Sequence, residues 1–213
     1  THAVLVPEMV KGLPYKFFVT SSVDALIHAT ESYVSPKANS YTKMFSVKAI
    51  ELILNGYIDI VEKGENYRTE IIDDFVLGSN YAGIAFGNAG CGAVHALSYP
   101  IGGNYHVPHG EANYLFFTEI FKLYYKKNPN GRIKNINKIL ANILECNESS
   151  VYDGLSELLD KLLPRKELRK YGMKKKEIEI FTDQVIEGQQ RLLVNECEPL
   201  SREDIIGIYR RLY

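Results

Sequence analysis

The chain has 213 residues, 46% of them hydrophobic, which is enough to bury the core of one or two domains. Its 25 Lys and Arg nearly cancel 26 Asp and Glu, which excludes a basic nucleic-acid footprint and an acidic solvating tail. Cys91, Cys146 and Cys197 form no CxxC pair and are widely spaced, so neither a disulfide framework nor a thiolate zinc site is expected. A reducing cytoplasm is the compartment this implies. No apolar run approaches the roughly 20 residues needed to span a bilayer, and residues 1–7 lack the basic and apolar regions of a signal peptide. The start at Thr1, without an initiator Met, reads as a domain boundary.

In chain order, a strand is conceivable only at residues 3–6, and from Ser21 onward the period of the apolar residues is helical. The spacing predicts a short helix over 22–33, stopped by Ser35-Pro36, and a long amphipathic helix over 40–63 that carries Val47, Ile50, Leu54 and Ile58. A third helix is expected over 69–88, a break at 89–92, two further turns over 93–99, and a Gly-rich loop over 100–108. Helices over 110–125, 131–146, 150–163, 175–193 and 201–212 complete the set, the last with Ser201 and Asp204 placed as a near capping box. The fold expected is all-α, a bundle of about seven to nine helices.

Chemistry-bearing residues are few. Asp24 and His28 stand at i, i+4, on one helix face, where they can grip a divalent ion or form a plain surface pair. His95 and His109 flank the expected loop and are either brought together by it or unrelated. Taken together the four are more telling, because an unpartnered imidazole in an apolar helical setting is costly and one shared metal would satisfy all of them. Three nitrogens and a carboxylate suit iron or zinc. His106, two residues before Pro108, either lines a pocket or is a solvated loop residue, and nothing singles out His2. Gly78, Gly83, Gly87, Gly90 and Gly92 follow a helix, with no GxGxxG or GxxxxGK[ST], so close helix packing explains them better than a phosphate loop. The run Lys174–Lys176 reads as a solvated helix start.

Three stretches carry a family resemblance: Asp24-Ala-Leu-Ile-His28-Ala-Thr-Glu-Ser-Tyr33, Gly83 to Gly90 followed by Gly92-Ala-Val-His95-Ala-Leu, and Tyr105-His-Val-Pro-His109-Gly110. In this order they resemble the metal motifs of the iron-dependent (group III) alcohol dehydrogenases. The resemblance implies Asp24, His28, His95 and His109 as ligands of ferrous iron, or of zinc in some members. It implies that residues 1–213 form the helical metal-binding catalytic domain of a dehydroquinate synthase-like fold. The dinucleotide-binding domain that holds NAD or NADP would precede it and is not in this sequence. Most members have a second histidine four residues after the ligand matching His95. Here that position is Tyr99, whose phenol can hydrogen-bond substrate or cofactor but is a poor base at neutral pH. Residues 88–113 look most like members acting on 4-hydroxybutyrate, and Asn104 and His106 are then candidates for holding its carboxylate. The expected partners are a small alcohol or aldehyde and a second copy of the chain, with no nucleic acid and no membrane. By this reading the chain alone is catalytically silent. Three other readings stand beside it: a dehydrogenase for another primary alcohol, a non-catalytic helical metal-binding module, and a helical interaction domain with a purely structural metal.

Overall fold

Pro14 ends an irregular entry segment, and the chain is helical from the next residue. In the computed structural model, which describes residues 4–213, this helix α1 (Tyr15–Val34) packs against three other long helices. It begins seven residues before the expected start. The stretch 15–21 is rich in aromatic and β-branched residues with weak helix propensity, and burial of Phe18, Val19 and Thr20 overrides that preference. Val4–Val6 has no regular structure, contrary to the strand considered there, while His2 and Ala3 lie outside the described residues.

Helix α2 (Ser40–Lys63) has the expected bounds because both ends are written locally. The Asn39 side chain accepts from the backbone N–H of Tyr41 and Thr42, and the Thr42 hydroxyl accepts from Asn39 N–H in return. Gly64, at φ 94°, ends the helix in a conformation that other residues avoid. Helix α3 (Ile72–Ala89) starts later than expected because residues 65–69 form a 3-10 turn. It closes a three-helix layer with α1 and α2. Within that layer Tyr57, fully buried, donates to Ser22 Oγ at 2.7 Å.

Helix α4 (Ala93–Tyr105) corrects the sequence reading. The helix does not stop at Tyr99, and the expected Gly-rich loop shrinks to His106–Pro108. Pro100 removes one backbone donor and pushes against the preceding turn, which normally breaks a helix. Here the buried Tyr209 hydroxyl donates to the Leu97 carbonyl at 2.6 Å, so a carbonyl beside the proline has a partner from another helix. His106, at φ 53°, then turns the chain into α5 (His109–Lys127). The smaller helices α6 (Ile133–Ile143), α7 (Val151–Leu162), α8 (Glu177–Gly188), α9 (Gln190–Leu193) and α10 (Arg202–Leu212) cover the other side of α5 and α4. The expected helix over 175–193 is therefore split at Gln189. Ser201 and Asp204 form a full capping box on α10. Among the described residues there are ten α-helices and no strand, and no helix is long and apolar enough to cross a membrane.

The glycines divide. A Cβ on Gly78 would meet Ile53 at 3.0 Å, and one on Gly90 would meet Asn195 at 2.7 Å, so packing explains both. Gly83 and Gly87 have nothing within 4 Å, and packing does not explain them. Gly83 instead borders an open apolar groove of about 630 Å³ shared by α1, α3 and the entry segment.

Between α9 and α10, Glu196 accepts from Leu200 N–H at 3.1 Å while its Oε2 is buried without a partner. Burial pushes its carboxyl up to about 7. The folded state therefore binds an extra proton between the ordinary carboxyl range and about pH 7, so this group's effect is to lower stability as pH rises through that window. Glu196→Gln is expected to flatten the pH dependence of thermal unfolding between about pH 4.5 and 7. It should raise the midpoint by several degrees at pH 8 and leave it unchanged at pH 4. Parallel melting curves of variant and parent at pH 8 would show the carboxylate to be harmless.

Candidate metal centre

Three helices deliver the four sequence-selected side chains to one point. Asp24 and His28 come from adjacent turns of α1, His95 from the first turn of α4, and His109 from the first residue of α5. One donor atom from each lies within 4.8 Å of all the others. His95 Nε2 is 3.1 Å from His28 Nε2 and 3.7 Å from Asp24 Oδ1, and His109 Nε2 is 3.8 Å from Asp24 Oδ2. Nitrogens sharing one ion at bonds of about 2.1 Å sit about 3.0–3.4 Å apart, so the imidazole pair already has ligand spacing. The centre is graded in exposure: His95 is buried, Asp24 and His28 are half-buried, and His109 is exposed.

The orientation of His95 is set by a residue that the sequence reading passed over. Glu31, 2% exposed, faces His95 Nδ1 at 2.6 Å and accepts Val94 N–H at 2.7 Å through its other oxygen. A carboxylate can only accept, so Nδ1 carries the proton and Nε2 is left to face the centre. Burial opposes charge on His95, but the hydrogen bond and charge of Glu31 outweigh it and raise the proton affinity of the ring. Burial pushes His28 down to about 4, so its ring is neutral at pH 7. A cation therefore finds the His28 imidazole already neutral. Glu31 is three residues after His28 and seven after Asp24, a same-face spacing that could have identified it.

Asn113 plays a matching role for α5. Its amide lies 2.7 Å from Asp24 Oδ1, to which it donates, and 3.0 Å from His109 Nε2. The Ser98 hydroxyl donates to the Asn113 carbonyl and thereby fixes which way the amide points. Flat rings flank the donors, with Phe86 stacked on His28 at 4.3 Å and Tyr99 on His109 at 6.1 Å. Glu31, Cys91 and His95 also cluster, but both Glu31 oxygens are engaged and burial keeps the Cys91 thiol neutral, so they offer no second thiolate site.

Residues 18–213 match the model of the Fe-containing alcohol dehydrogenase family, C-terminal part. The chain belongs to that family. Over all 213 residues it is 78% identical to 4-hydroxybutyrate dehydrogenase of Clostridium kluyveri, and it covers 57% of that protein. It is 31% identical to long-chain-alcohol dehydrogenase 1 of Geobacillus thermodenitrificans, covering 99% of this chain and 54% of the relative. The chain thus spans little more than half the length of these relatives. The fold superimposes on an alcohol dehydrogenase from Oenococcus oeni with a TM-score of 0.84 at 22% identity, over 97% of this chain and 54% of that one. A 1,3-propanediol oxidoreductase gives 0.83 at 23% identity, over the same shares.

Within this family member, Tyr99 borders the centre, half-buried, one turn beyond His95 on α4. Its hydroxyl accepts from Arg191 of α9 at 3.3 Å. Asn104 and His106 are placed differently. Both are exposed at the end of α4, where the Asn104 amide donates back to the Pro100 carbonyl and His106 serves as the helix terminator. No described contact ties either to the donor cluster.

Proposed function

We propose that the protein is an alcohol dehydrogenase that oxidises 4-hydroxybutyrate to succinate semialdehyde, with Asp24, His28, His95 and His109 holding ferrous iron or zinc. The observation that carries the reading is the convergence of these four donors around a histidine pre-oriented by Glu31. The 78% identity to the Clostridium kluyveri enzyme along the whole chain favours this substrate among primary alcohols.

A divalent ion bound there would supply Lewis acidity, lowering the pKa of a hydroxyl placed beside it. The chain's own residues do the rest. Glu31 keeps the His95 proton on Nδ1, so Nε2 stays aimed at the centre. Asn113 and Ser98 hold Asp24 and His109 at a fixed separation across the α1–α5 contact. Phe86 and Tyr99 present flat walls against which methylene groups can lie with water displaced. Oxidation removes a hydride from the carbinol carbon and a proton from its oxygen, and the proton is released to solvent. The hydride acceptor we assign is the nicotinamide of NAD or NADP.

The test is NAD(P)H formation by the full-length, metal-replete enzyme with 4-hydroxybutyrate and with simple primary alcohols. We expect turnover of 4-hydroxybutyrate that stops on chelation and returns when ferrous iron or zinc is added back. Turnover that survives complete metal removal, or none with any alcohol in the metal-replete enzyme, would overturn this reading.

A further inference from the structure

A site for a carboxylate-bearing alcohol needs a cation that is not already spent on an acid of the protein. Lys16, at the start of α1, is spent in this way, paired with Glu111 of α5 at 2.7 Å. Arg191 is different. Among the described residues it makes no ion pair, it is exposed, and its guanidinium lies over the Tyr99 ring, 5.6 Å from the centroid. The contact with Tyr99 engages only Nη2, which donates to the phenol oxygen at 3.3 Å. The phenol accepts from Arg191, so its own proton is free for another acceptor. The remaining guanidinium N–H groups are free as well, in the planar fork that matches a carboxylate.

This pair is tied to the metal centre by more than proximity. Asn195, 4% exposed, donates through one amide nitrogen to the Arg191 carbonyl at 3.2 Å and to the Cys91 carbonyl at 3.0 Å. The turn bearing Arg191 is thus fastened to the segment that opens α4, the helix carrying both His95 and Tyr99. Gly90 makes room for this fastening, because a Cβ there would lie 2.7 Å from the same Asn195 nitrogen. Tyr99 in turn lies against the His109 ring. One aromatic side chain therefore stands beside both the cation and a donor of the centre.

We propose that Arg191, oriented by Tyr99, receives the carboxylate of a short ω-hydroxy acid whose hydroxyl end lies at the donor cluster. The assignment rests on the dehydrogenase reading and names the residue that selects an acid over a neutral alcohol. Asn104, whose amide is engaged by its own helix, is not needed for this. In a four-carbon acid with bonds of about 1.5 Å the carboxyl and carbinol carbons are separated by about 4 Å. The Tyr99 ring beside which it would lie is 5.6 Å from the guanidinium and 6.1 Å from the His109 ring.

Two measurements on the metal-replete enzyme test the assignment. Calorimetric titration with butyrate, which has the carboxylate but no hydroxyl, should give saturable binding that Arg191→Met weakens about 10- to 100-fold. Arg191→Lys, which keeps the charge but loses the fork, should fall between the two. The ratio of kcat/KM for 4-hydroxybutyrate to that for 1-butanol should drop by a similar factor in Arg191→Met, and melting curves will show that the variant is folded. Butyrate binding that is absent in the parent, or equal in parent and Arg191→Met, overturns the proposal, as does an unchanged specificity ratio. Butyrate binding that depends on Arg191 in an enzyme that oxidises no alcohol would instead keep the carboxylate site and overturn the dehydrogenase reading.

Discussion

Replacing His95 by alanine is expected to take metal content from about one ion per chain to near zero at micromolar metal, and dehydrogenase activity below detection. Two effects add. One of four donors is lost, and Glu31, 2% exposed, keeps only Val94 N–H as a partner for its carboxylate. An unpaired buried carboxylate is costly, so the α1–α4 contact should loosen as well. Glu31→Gln separates the two effects. The amide keeps the shape but loses the charge that orients His95, and metal affinity should fall about 10- to 100-fold with all four donors present. Elemental analysis of desalted protein measures the first variant, and competition with a chelator measures the second. Equal metal content in folded His95→Ala and parent would remove His95 from the ligand set.

Gly110→Ala should damage the centre nearly as much without touching a donor. A Cβ on Gly110 would press into the Thr20 carbonyl and lie 3.3 Å from Asp24 Cβ. The Thr20 carbonyl belongs to the backbone of α1 and cannot rotate aside, so the start of α5 must retreat. His109, the preceding residue, would then move away from Asp24. Stability is expected to fall by about 1–3 kcal/mol, as for other overpacked contacts, and metal affinity by at least about tenfold. Gly83→Ala is the control, since it meets nothing within 4 Å. It should be neutral or slightly stabilising, because alanine is the better helix former. Identical melting and metal affinity in Gly110→Ala and parent would show that α5 does not need this close approach.

Much of this protein was legible in one dimension. The 3.6-residue period placed most of the helices, and the Ser201/Asp204 spacing marked the start of α10, because capping is an exchange between residues three apart. The i, i+4 pair Asp24 and His28, with the two motif histidines, named in advance the four donors that the fold brings together. Other features needed the tertiary structure. Helix α4 continues through Pro100 with a hydroxyl 112 residues away bonded to the Leu97 carbonyl. His95 is oriented by Glu31 across 64 residues, Asp24 is bonded by Asn113 across 89, and Tyr99 meets Arg191 across 92. Spacing along a chain settles which side chains share the face of one helix. Which faces meet depends on how the buried surfaces of several helices fit together, and that fit places the groups that orient each donor.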